Sequence, residues 1–82
     1  MKYRKLPILV DCVRFYPKRK PWPAGVVETF DHMNGAEPVG WGIQTLEGLM
    51  NVKPGDWIVT GVEGERYAVK PSIFKRTFEK VR

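Results

Sequence analysis

The chain has one cysteine and one histidine in 82 residues, and no apolar run long enough to cross a bilayer. A single thiol, Cys12, excludes an internal disulfide and a thiolate metal cage, and fits a reducing compartment. Cys12 and His32 are the sole pair for thiol–imidazole chemistry. Cys12 is expected inside a covered strand and His32 on the surface, with no third group to orient them. One His and one Cys do not complete a metal sphere. The glycines match neither a Walker loop nor a dinucleotide fingerprint. These absences argue against an enzyme: no catalytic residue, cofactor or metal ligand is assigned. Lys2, Arg4 and Lys5 precede the apolar Leu6–Val10, but Asp11 cuts that run too short for a secretion signal, and no small-residue cleavage site follows. The expectation is a cytoplasmic protein with no membrane partner.

Basic residues are missing from 21–52, where Glu28, Asp31, Glu37 and Glu47 lie; seven of the fourteen Lys and Arg fall in 2–20 and seven in 53–82. A net charge of +5 distributed this way suggests a basic surface able to attract phosphates. With 43% apolar residues the chain has material for a core, and its length suits one domain, 1–82. A domain this small does not bury both a core and a large ligand, so a ligand pocket would be shared between subunits of a homo-oligomer.

Residues 8–15 are rich in β-branched and aromatic types and read as a strand, with Ile8, Val10 and Cys12 on one face and Leu9, Val13 and Phe15 on the other. Apolar residues on both faces predict a central strand. Prolines 17, 21 and 23 make 16–23 a loop. Pro23 at a first turn, Val26, Phe30 and Met33 at helical spacing, and a terminating Gly35 predict a short middle helix, followed by a second loop over 34–40. Two hairpins then follow: Trp41–Leu46 with Leu49–Lys53 through Glu47-Gly48, and Trp57–Val62 with Glu65–Lys70 through Glu63-Gly64. Two-residue loops pair Ile43 with Val52, Ile58 with Val69 and Trp57 with Lys70. That register puts Ile43, Met50, Val52, Ile58, Val62, Tyr67 and Val69 in the core. Gln44, Leu46, Leu49, Asn51, Lys53, Trp57, Arg66 and Lys70 take the opposite face. Lys53-Pro54-Gly55-Asp56 bends between the hairpins. Ser72 as cap and the stripe Phe74, Phe78, Val81 predict a C-terminal helix. The expected fold is α+β: an antiparallel meander of about five strands with a short middle helix and a C-terminal helix.

The opening Met1–Val10, Thr45-Leu46-Glu47-Gly48, Val52–Ile58, Gly61–Glu65 and Lys70-Pro71-Ser72-Ile73-Phe74 together resemble the PGDYG family of small phage and prophage proteins. Trp57 stands where the family name has Tyr, and Ser72 where an acidic residue is common. The resemblance covers the N-terminal strand and everything after about residue 41. It implies a phage-encoded accessory protein in a bacterial host cytoplasm, and no settled activity.

Lys53, Trp57, Arg66 and Lys70, gathered on one face by the expected register, combine a stacking ring with phosphate-attracting cations. They are the candidate ligand site for an anionic small molecule, foremost a nucleotide, such as a host defence signal sequestered by a homo-oligomer. The alternative is DNA or RNA held by Lys18, Arg19 and Lys20, flanked by Tyr16 and Trp22. A third reading is a module that binds a host or virion protein through Leu46, Leu49 and Trp57.

Overall fold

The computed structural model describes residues 1–4, 6–33 and 35–81. It is mostly β: six strands form two three-stranded antiparallel sheets, followed by one short helix. The elements are β1 (Asp11–Arg14), β2 (Val26–Phe30), β3 (Pro38–Thr45), β4 (Gly48–Val52), β5 (Trp57–Thr60), β6 (Arg66–Val69) and α1 (Pro71–Thr77). One sheet has the order β1-β5-β6 and the other β2-β3-β4. The expected α+β meander of about five strands is therefore corrected on three counts: strand number, division into two sheets, and the middle helix.

The middle helix is strand β2. Gly25 takes a φ of +92° and Val26 N–H bonds Pro23 O at 3.2 Å, so Pro23-Ala24-Gly25-Val26 is a turn and not a helix start. The β-branched Val26, Val27 and Thr29 then suit an extended chain, and β3 is there to pair with them, Val26 opposite Ile43. The helical spacing of Val26 and Phe30 was a coincidence of short range. Pro38–Gly40 belong to β3, so the loop expected over 34–40 falls instead between Phe30 and Pro38. Asn34 lies outside the described residues.

The two hairpins depart from their expected registers in different ways. In the first, Leu46-Glu47 forms the loop, Thr45 faces Gly48 and Ile43 faces Met50. Thr45 Oγ1 donates to Gly48 O at 2.8 Å and accepts from Glu47 N–H at 3.1 Å, which pins the turn one residue early. Both strands shift together, so Ile43 and Val52 stay on the core face. In the second, Val62-Glu63-Gly64 is a three-residue loop, closed by Gly61 N–H to Glu65 O at 2.8 Å with Gly64 at φ +84°. The added residue slips β6 by one. Ile58 now faces Ala68, and Trp57 faces Val69 instead of Lys70. Ala68 consequently enters the core in place of the expected Tyr67 and Val69, while Val62 stands exposed in the loop.

The core lies between the sheets: Phe15, Val26, Ile43, Val52, Ile58 and Ala68, with Trp22 and Trp41 packed against it. Phe15 joins the layers. Its ring meets Trp22 at 5.7 Å and Trp41 at 5.5 Å, both edge to face. Its backbone extends the β1–β5 ladder through Phe15 N–H to Asp56 O and Gly55 N–H to Phe15 O. The bend at Lys53-Pro54-Gly55-Asp56 is a type II turn, with Gly55 at φ +91° and Asp56 N–H bonded to Lys53 O at 3.0 Å. Asp56 Oδ2 accepts from Lys53 N–H at 2.9 Å, so the buried carboxylate ties the turn shut.

β1 is an edge strand, not the central one that its composition predicts. α1 begins at Pro71 with Lys70 as its N-cap residue, and no side chain caps it, so Ser72 does not take that role. Val81 falls beyond the helix and is exposed. Among the described residues no helix is long and apolar enough to cross a membrane.

Candidate functional site

The β1–β5 pairing places Arg14 directly across from Trp57. Arg14 Nε donates to Gly55 O at 3.0 Å, which fixes the guanidinium over the turn. Its Cζ then sits 5.5 Å from the Trp57 ring centre and 5.5 Å from that of Tyr16. Arg19 lies 4.7 Å from the Tyr16 ring, brought back by a turn in which Arg19 N–H bonds Tyr16 O at 3.0 Å. The result is a strip of alternating rings and guanidinium groups, Trp57–Arg14–Tyr16–Arg19. Cation–π contacts of this kind contribute about 0.5–1 kcal/mol each at exposed sites.

Trp57 also stacks on Phe74 at 4.2 Å, nearly parallel, and Phe74 on Phe78 at 4.7 Å. α1 thus delivers its apolar side to the sheet beside Arg14. Two shallow grooves flank the strip. One, of about 380 Å³, is lined by Arg14, Trp57, Pro71, Phe74, Lys75 and Phe78. The other, of about 530 Å³, is lined by Tyr16, Pro17, Lys18, Arg19, Trp41 and Pro54. Among the described residues, four cations and no carboxylate line the pair. The Trp41 indole N–H is buried without a hydrogen-bond partner among the described residues.

The residues proposed from sequence are partly dispersed. Trp57 is in the strip, but Arg66 pairs with Thr60 on the other face of its sheet, its stem against Gly25. Lys53 and Lys70 are exposed at the turn and at the start of α1, and neither faces Trp57 across a strand pair. Of the basic loop, Lys18 and Arg19 line the second groove. Lys20 sits 5.0 Å over Trp22. Trp22 anchors the loop: its Nε1 donates to Pro17 O at 3.0 Å and its ring abuts Phe15. Leu46 and Leu49 belong to the β3–β4 hairpin of the other sheet from Trp57, so those three residues do not share a sheet. Arg14 and Lys75 were missed. Arg14 is recruited by a strand pairing 43 positions away in sequence (Arg14 with Trp57), which no local pattern encodes.

Cys12 is half-buried on β1, and no cluster of three or more His, Cys, Asp or Glu side chains able to hold a metal exists among the described residues. Burial, and then the neighbouring Asp11 carboxylate, push the Cys12 thiol above its ordinary pKa. Less thiolate is therefore present at neutral pH than on a free cysteine. Alkylation by iodoacetamide should run slower in the native protein than in the urea-unfolded chain. Equal or faster native alkylation would contradict this assignment.

Set against protein-family models, curated proteins and solved structures, the chain matches none of them.

Proposed function

We propose that this protein binds single-stranded nucleic acid along the Trp57–Arg14–Tyr16–Arg19 strip and the two grooves beside it. The observation that supports this most is Arg14. Its guanidinium is held by Gly55 O and two aromatic rings, and its terminal N–H groups remain to meet a phosphate. Rings and cations that alternate along an open surface suit a polymer whose bases and phosphates also alternate. One open groove takes in the Trp57–Arg14 end of the strip and the other the Tyr16–Arg19 end, which favours a strand over one enclosed nucleotide. Binding needs no chemistry from the protein. The setting we propose is that of the phage and prophage proteins the chain resembles, an accessory role in a bacterial cytoplasm.

Fluorescence anisotropy with short single-stranded oligonucleotides over a salt series tests the proposal. Four groove cations predict a log–log slope of about −3, and so a loss of about 50-fold in affinity between 50 and 200 mM salt. Affinity should also rise with oligonucleotide length up to the span of both grooves. A flat salt response with equal affinity for a mononucleotide would overturn the strand reading in favour of a nucleotide site.

A further inference from the structure

β1 and the three residues before it, 8–10, which lie outside any strand, carry a pattern that a single copy of the chain does not use. Ile8, Val10 and Cys12 alternate with Leu9 and Val13, the apolar-on-both-faces composition of a strand with neighbours on each side. Yet among the described residues β1 pairs only with β5. Leu6 and Leu9 are 76% exposed, Ile8 54% and Val13 52%. The radius of gyration is 14.7 Å, against about 12 Å for a compact chain of this length. An apolar segment is being held in water.

One edge of β1 also has no strand neighbour among the described residues. Phe15 directs both its N–H and its C=O to the Gly55-Asp56 side. Alternation along an antiparallel ladder sends those of Val13 and Asp11 the same way, and those of Arg14 and Cys12 to the open side. No lysine or proline between Ile8 and Val13 guards this edge. The opposite edge of the sheet is managed differently: Ala68 N–H on β6 meets Met50 S at 3.4 Å.

We propose that β1 and the residues just before it pair antiparallel with the same segment of a second copy of this chain, joining the two β1-β5-β6 sheets into one six-stranded sheet. The occupant is a second copy because the segment supplies both halves of what it lacks: free N–H and C=O groups along one edge, and apolar side chains to cover apolar side chains. A twofold axis perpendicular to the sheet satisfies both at once. Such an axis keeps the faces in common, so a residue meets one of like parity. Pairing centred on Asp11 would oppose two carboxylates, which leaves centres at Cys12 or Val10. The same symmetry sets both Arg14–Trp57 strips on one side of the dimer. The inference rests on the β1 edge and not on the binding reading, and its test contains no nucleic acid.

Light scattering and amide exchange on the full chain test it. The expected mass is twice 9.5 kDa. The double variant Leu9→Asp, Val13→Asp alters side chains that are exposed in the protomer and sets a carboxylate opposite the other copy's Asp11 in either register, so it should return the mass to that of one chain with its circular dichroism retained. In the native chain the Cys12 and Arg14 amides should exchange slower than in the variant by about tenfold or more. A single-chain mass at every concentration, or fast exchange of the Cys12 amide in the native chain, would overturn the proposal. So would a dimer that the variant leaves intact.

Discussion

Replacing Phe15 with alanine is expected to remove about 3–5 kcal/mol of folding stability. Phe15 has no exposed surface, and its ring contacts the edges of Trp22 and Trp41, which hold the 16–23 loop and β3 against the core. Those two edge-to-face contacts contribute about 0.5–1.5 kcal/mol each beyond area burial. The backbone bonds that Phe15 makes to Gly55 and Asp56 survive the substitution, so the loss isolates packing. An 82-residue domain has about 4–12 kcal/mol in total, so Phe15→Ala removes at least about a quarter of it. Urea unfolding followed by tryptophan fluorescence measures it directly. Phe15→Leu, which keeps most of the volume, should lose less than half as much. A loss below about 1 kcal/mol for Phe15→Ala would show that Phe15 does not join the layers as described.

The second large effect concerns binding. Arg19→Gln with Lys75→Gln removes one cation from each groove and leaves the core untouched, since both side chains are exposed. Losing two released counterions should weaken single-strand binding by roughly 60-fold at 50 mM salt and flatten the log–log slope by about 1.4. The deficit should fade towards molar salt, because counterion release then contributes nothing. Paired anisotropy titrations of the two proteins at low and high salt give both numbers. A loss that persists unchanged at high salt would mean that Arg19 and Lys75 act through structure. Unchanged affinity at every salt would place the ligand elsewhere on the protein.

Arg14 serves both the fold and the site. Its Nε bond to Gly55 O and its contact with Trp57 brace the turn as well as the site. Its substitution would mix the loss of a phosphate contact with a loss of stability. The dimer proposed from the β1 edge bears on the same strip, because Arg14 is the last residue of β1.

Local chemistry made several parts of this molecule legible in the sequence. Prolines 17, 21 and 23 mark the loop, Pro54-Gly55 marks a turn that needs a positive φ at its third position, and Gly64 marks a hairpin. Phe74 marks the apolar side of α1, while Phe78, expected inside the helix, is its extended C-cap residue and stacks on Phe74. These are constraints that a residue and its near neighbours impose whatever surrounds them. The face sorting of the first hairpin belongs with them: its loop moved by one position, but both strands moved together and the parity survived. In the second hairpin one additional loop residue was enough to reverse β6, and with it the proposed pairing of Trp57 with Lys70. Loop length is set by how three residues fit between strands already held by the core, so the Glu63-Gly64 pair alone could not decide it.

Tertiary structure alone decided the rest. Val26–Thr29 became a strand because β3 offered a hydrogen-bonded partner, which outweighed a weak helical spacing. β1 found β5 across more than forty residues, and that pairing created the site by setting Arg14 beside Trp57 and Tyr16. The sequence by itself determined where the chain bends, which residues are apolar enough to be buried, and that its positive charge is concentrated at the two ends. Which strand lies beside which, and hence which cations meet which rings, follows from hydrogen bonds and packing between distant segments. No local pattern carries that information.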